Sequence, residues 1–110
     1  MKTDFSDAFV HISNENITRR VLTHSENLML VHMTFHKQSD DPGLHSHPHE
    51  QIVYVQTGKF EFILSGESFI VGAGDSVYIP PGATHGARVL EDNSTLLDIF
   101  SPRRDDFLGK

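Results

Sequence analysis

Apolar and polar residues alternate along this chain, and a turn signal interrupts the alternation every few residues. The runs LMLVHMTFH (28–36), QIVYVQT (51–57), KFEFIL (59–64), ESFIV (67–71), DSVYIP (75–80), HGARVL (85–90) and TLLDIF (95–100) are short and rich in β-branched or aromatic residues. Each reads as a strand with one face turned inward. Thr57-Gly58, Ser65-Gly66, GAGD (72–75), PPGAT (80–84) and EDNS (91–94) separate them, with Gly, Pro, Asn and Asp supplying turn geometries that other residues resist. Seven or more strands at this spacing imply a sandwich or a barrel. No window of 11 or more residues carries helical periodicity, which disfavours a βαβ architecture. The tail SPRRDDFLGK has room for one helical turn.

A length of 110 residues accommodates one domain, 1–110, with no repeat or linker. With 37% apolar and 22% charged residues, the chain has the composition of a folded protein. Cysteine is absent, so any metal must be held by nitrogen and oxygen. A net charge of -6, with Arg19-Arg20 and Arg103-Arg104 as the only basic pairs, argues against nucleic acid. The N-terminus lacks the basic and apolar regions of a signal peptide, and no apolar run approaches a membrane span. A cytoplasmic location without membrane partners is therefore the expectation.

The stretch HSHPHEQ places His45, His47, His49 and Gln51 at equal parity, so on a strand they would share one face. Pro48 marks a bulge or an edge entry and leaves the register ahead of Gln51 open. Far along the chain, PPGATHG puts His85 behind a rigid turn, where a metal ligand is held in place before the ion arrives. Polar filler inside a metal-free barrel is the competing account of these histidines.

The two segments resemble the motifs of the cupins. The first motif, HxH followed by an acidic residue and a glycine, is approximated by His45, His47, Gln51 and Gly58. The second, G, five residues, PxG, two residues, H, is matched by Gly74, Pro80, Gly82 and His85, with fifteen residues between Gly58 and Gly74. The leading glycine is displaced to Gly43, the closing asparagine is Val89, and the usual glutamate ligand is Gln51. The resemblance implies a double-stranded β-helix, a jelly-roll barrel with its core over about residues 25–101. It also implies a metal held by His45, His47, Gln51 and His85. Three imidazoles and an amide suit Mn, Fe, Co, Ni or Zn without choosing among them. A neutral amide leaves the full dication, which favours polarisation of an anionic substrate over redox chemistry. Glu50 could replace Gln51 if a bulge shifted the register, against its parity with His47.

More narrowly, residues 11–108 are similar to the KdgF-type cupins of pectin and alginate breakdown. The similarity rests on SENLMLVHMTF (25–35), on HSHPHEQIVYV with Gln in the ligand position, and on LLDIFSPRRDDFL (96–108). It implies an enzyme that converts 4,5-unsaturated monouronates to linear ketonised uronates by ring opening and enol–keto tautomerisation. The family's functional Asp, Phe and Arg fall on Asp98, Phe100 and Arg104. Asp98 shares parity with Leu96 and Phe100, so either an acid faces the interior, where it needs a purpose, or that face is exposed. Phe100 can floor a pocket while packing in the core. Arg104 can grip a carboxylate with two parallel hydrogen bonds, or pair with the aspartates that follow it. Arg103 is expected in solvent, His11, His24, His32 and His36 at surface or strand-face positions, and Tyr54 and Tyr78 as packing residues with a hydroxyl at the rim. A homodimer is implied by the resemblance alone. An oxygen-consuming cupin dioxygenase and a non-catalytic sugar-binding or sensor cupin are the rival readings.

Overall fold

The computed structural model describes residues 1–109; Lys110, the last residue of the expected domain, lies outside them. Nine strands, β1 (Phe9–Ser13), β2 (Ile17–His24), β3 (Met29–Phe35), β4 (Glu50–Thr57), β5 (Lys59–Leu64), β6 (Glu67–Gly72), β7 (Ser76–Ile79), β8 (His85–Val89) and β9 (Ser94–Ser101), form two antiparallel sheets. One runs β1-β2-β3-β9-β4-β7 and the other β6-β5-β8. The only helical elements among the described residues are 3₁₀ turns at Phe5–Asp7 and Asp105–Leu108, the second within the tail expected to form a single turn.

The period of two in the sequence becomes the inside and outside of the barrel. On β4, Gln51, Val53 and Val55 are buried while Glu50, Ile52, Tyr54 and Gln56 are exposed. On β9, Ser94, Leu96, Asp98 and Phe100 are buried. The inward faces of both sheets meet in a core that includes Val53, Val55, Phe60, Phe62, Val71, Ile79 and Leu96. A second cluster of Val21, Met29, Val31 and Phe100, with Phe107 and Leu108 packed on it, closes one end. Removing these apolar surfaces from water supplies most of the driving force for folding.

Tyr54 and Tyr78 differ from the packing role expected of them. Both are exposed, because they share the outward face with Ile52, which pairs directly with Tyr78. Two strands, β1 and β2, lie beyond those read from the sequence. Every residue of β1 except Ser13 is exposed, as befits a sheet edge, and Arg19-Arg20 interrupts the apolar pattern of β2.

Two glycines matter for positioning. Gly58 carries the chain from one sheet to the other at φ +82°, and a Cβ there would run into Ser94. Gly86 lies beneath the segment that leads to His45. A Cβ on it would collide with the Pro42 carbonyl oxygen, while the neighbouring Ala87 N–H donates to that oxygen at 2.9 Å. Only a residue without a side chain lets the 39–45 segment lie this close to β8.

Candidate metal centre and cavity

Backbone pairing joins the two histidine segments before any side chain is considered. His45 and His85 exchange both N–H···O=C bonds at 2.9 Å, and the Gly82 N–H donates to the His47 carbonyl at 2.9 Å. Gly82 has φ +80°, so the Pro-Gly turn that launches β8 is docked on the His-x-His segment by the one residue that adopts this conformation freely.

The imidazoles converge as a result. Ring centroids of His45 and His85 are 4.3 Å apart, those of His47 and His85 4.8 Å, and those of His45 and His47 5.8 Å. One ligand atom from each lies within 4.8 Å of the others. All three rings use the same tautomer: Nδ1–H donates to the carbonyl of Gly43, His49 and Ala83 at 2.7, 3.0 and 2.9 Å respectively. A carbonyl can only accept, so Nε2 of a neutral ring is left with its lone pair. Burial, above all, holds His47 and His85 below the ordinary imidazole value, and Arg104 lowers both further.

Gln51 continues the arrangement. Its Nε2 donates to Asp98 Oδ1 at 2.7 Å, which turns Oε1 toward His47 Nε2 at 2.9 Å. With His47 neutral and its proton on Nδ1, two acceptors face one another at hydrogen-bond distance. His85 Nε2 is buried without any partner. A cation resolves both features, since ligands at right angles around an ion with bonds of about 2.1 Å lie about 3 Å apart. The donor set therefore fits a divalent first-row metal, and His45, His47 and His85 can hold one. Glu50 is exposed and pairs with Ser101, away from this cluster. His49 contributes its carbonyl to His47, and its ring stands edge-on to His47 at 5.6 Å.

A cavity of about 440 Å³ opens beside the cluster, lined among others by His45, His85, Gln51, Asp98, Phe100 and Arg104. Six of the seven residues singled out from the sequence thus share one lining. The seventh, His47, is buried behind it, edge-on to Phe100 at 5.7 Å. Asp98 is 8% exposed; burial pushes its carboxyl up to about 7, against the pull of the Gln51 N–H and of Arg104. Near that value a carboxyl can hold or release a proton at neutral pH.

Arg104 pairs with one of the aspartates that follow it. Nε and Nη2 donate to the two oxygens of Asp106 at 3.1 and 2.8 Å, yet only 14% of the arginine side chain is exposed. Its Cζ lies 4.2 Å from the Phe107 ring centroid and 5.2 Å from that of Phe100. Arg103 pairs instead with Asp105 and keeps 27% of its side chain exposed.

Arg19 and Phe107 also line the cavity, and neither stands out from the sequence as a site residue. Arg19 shares its parity with Ile17 and Val21 on β2, so a cation on an inward strand face is the signal that would reveal it. Phe107 sits in a 3₁₀ turn too short to show any period.

Comparisons with known proteins agree with this geometry. The cupin domain family matches residues 31–100. The pectin degradation protein KdgF of Dickeya dadantii (strain 3937) is 40% identical over 95 residues, 86% of each chain. The structure of KdgF from Halomonas sp. superposes with a TM-score of 0.87 at 34% identity, covering 96% of both chains. Bacillus subtilis oxalate decarboxylase, described with Mn(II) centres, superposes with a TM-score of 0.82 at 29% identity, over 96% of this chain and 31% of the other. Fold, motif spacing and these likenesses together make the chain a member of the cupin family, of the KdgF type.

Proposed function

We propose that the protein acts in pectin or alginate breakdown by converting 4,5-unsaturated monouronates to linear ketonised uronates. The observation that carries this reading is the chain His47–Gln51–Asp98, which ties a candidate metal ligand to a buried acid inside one cavity of a KdgF-type cupin. A divalent metal bound by His45, His47, His85 and Gln51 would supply Lewis acidity toward the substrate oxygens. The Mn(II) centres described for oxalate decarboxylase support a metal in such a fold.

The substrate is a cyclic enol ether with a hemiacetal at C1. Asp98 takes the C1 hydroxyl proton as the bond from C1 to the ring oxygen breaks, which leaves an aldehyde and an enolate. A proton returned from the same carboxyl to C4 then gives the ketone. Atoms balance within one molecule, and no electron acceptor enters. Gln51 holds one oxygen of Asp98 and so fixes the direction of transfer. Arg104 offers positive charge to the substrate carboxylate, while Phe100 places the ring and excludes water.

This reading takes a location in the cytoplasm and a homodimer with it; among the described residues no helix is long and apolar enough to cross a membrane. The deciding experiment follows a purified unsaturated monouronate by NMR, with protein, without it, and after chelation. Faster ketonisation with metal-loaded protein than without it, abolished by chelator, is the expected result. Equal rates in all three samples would overturn the proposal, and oxygen uptake would point to the dioxygenase reading.

A further inference from the structure

Resting on the uronate reading above, we infer that Arg19 is the principal carboxylate-binding residue of the cavity and forms a two-arginine clamp with Arg104 around Phe107. Arg19 projects from β2 into the cavity, on the sheet face that also carries Asp98 and Phe100. Its Cζ lies 3.8 Å from the Phe107 ring centroid, closer than that of Arg104 at 4.2 Å. One aromatic ring therefore supports both guanidinium groups.

The two cations differ in what they have left to give. Arg104 has committed the edge formed by Nε and Nη2 to the two oxygens of Asp106. Arg19 has no carboxylate within 4.0 Å among the described residues, and its Nε is buried without a partner. A guanidinium nitrogen withdrawn from water without a hydrogen-bond partner is costly, and among the described residues the Phe107 ring and the charge of Asp106 offset this without supplying that bond. An incoming carboxylate would supply it, through two parallel hydrogen bonds of the kind a guanidinium makes best.

Position separates the two roles as well. Phe107 meets Phe100 edge-on at 5.6 Å, and Phe100 meets His47 in the same manner at 5.7 Å. Arg19 therefore stands at the far end of a row of rings that starts at the metal ligands. A sugar acid anchored there by its carboxylate would lie along Phe107 and Phe100 with its oxygens toward Asp98 and the histidines. Arg104, midway, would share the carboxylate and carry charge toward the reacting end.

The test uses metal-loaded protein and two unreactive probes, a saturated hexuronate and its neutral methyl ester. Wild type should bind the acid more tightly than the ester. Arg19→Gln should lose roughly 10- to 100-fold in affinity for the acid and little for the ester, with metal content unchanged. An acid-to-ester ratio equal to that of wild type in Arg19→Gln would overturn the inference, as would a wild type that does not discriminate. Should the variant not fold, the Arg19 Nε–H resonance of wild type decides: it should move on adding acid and stay on adding ester, and an unmoved signal overturns the clamp. Turnover of the unsaturated monouronate is read in parallel. Loss of discrimination in Arg19→Gln without any wild-type turnover would keep the clamp and discard the enzyme, whereas turnover with an unchanged ratio would do the reverse.

Discussion

Gln51 donates its amide N–H to Asp98 across 2.7 Å, between the neighbouring strands β4 and β9. That single bond does two things: it fixes which end of the amide meets His47, and it occupies one oxygen of the buried acid. A glutamate at this position would be a stronger ligand but could not donate. Two carboxylates at that separation do not both ionise, so Gln51→Glu should raise Asp98 further and trap a shared proton. The variant should retain its metal while ketonising roughly 10- to 100-fold more slowly, the range seen when a ligand's supporting contacts are changed. Metal analysis combined with loss of ultraviolet absorbance tests this. Unchanged turnover would mean that the amide orients nothing.

Asp98→Asn separates proton transfer from metal binding. The change preserves shape and a bond to Gln51 but removes the titrating group. Removing a positioned general acid and base lowers rates by roughly 10²- to 10⁴-fold. Metal content should stay at the wild-type level and thermal stability at neutral pH should not fall, because the burial that raises this carboxyl to about 7 makes its charge unfavourable for folding. Wild-type turnover in Asp98→Asn would take the residue out of the mechanism.

Much of this arrangement is legible in the sequence, for reasons that individual residues make plain. β4 and β9 are central strands buried on one face, so their alternation is clean and puts Gln51 on the face of Val53 and Val55 and Asp98 on that of Leu96 and Phe100. His45, His47 and His85 follow from motif spacing, and that spacing works because the two segments pair through their backbones. β1 hides because a strand exposed along almost its whole length has no apolar side to alternate with. β2 hides because its functional cation, Arg19, sits where a core residue would otherwise confirm the period. The pattern is thus weakest where a half-buried charge replaces a packing residue. The sequence leaves the partner of Arg104 open for a related reason: adjacent aspartates look alike, and only the 3₁₀ turn at Asp105–Leu108 decides that Asp106 meets Arg104 while Asp105 meets Arg103.

The Arg104–Asp106 pair gives the protein a defined response to acid. Hydrogen bonds from Arg104, first of all, hold the Asp106 carboxyl below its ordinary value of 3.8. A carboxyl lowered on folding adds stability that is present above the unfolded value and disappears as pH falls through the folded one. The contribution is modest because 59% of the Asp106 side chain is exposed. The clasp should therefore stay intact through the neutral and mildly acidic range and open only below the ordinary aspartate value. Carboxyl ¹³C NMR should show Asp106 titrating low in wild type and returning toward 3.8 in Arg104→Gln. A titration point that ignores the substitution would show that the guanidinium does not set it.

Gly86 links packing to chemistry without offering a ligand of its own. Its Cα faces the Pro42 carbonyl so closely that any Cβ must push the 39–45 segment away from β8. That segment ends in His45, whose only backbone anchor on β8 is the pair of bonds to His85. Because the obstructing atom belongs to the backbone, Gly86→Ala cannot be absorbed by a side-chain rotation and should cost about 1–3 kcal/mol of stability. The displacement should also withdraw one imidazole from the cluster and weaken metal binding by roughly 10- to 100-fold. His45→Ala provides the comparison: His45 is exposed, so its loss should reproduce the metal defect with little change in stability. Combining the two substitutions should then weaken metal binding no further than either alone, since both remove the same ligand. Urea denaturation of the metal-free proteins and competition with a chelator measure the two quantities separately. A Gly86→Ala variant that is destabilised yet binds metal with wild-type affinity would show that His45 reaches the ion without the close approach of Pro42.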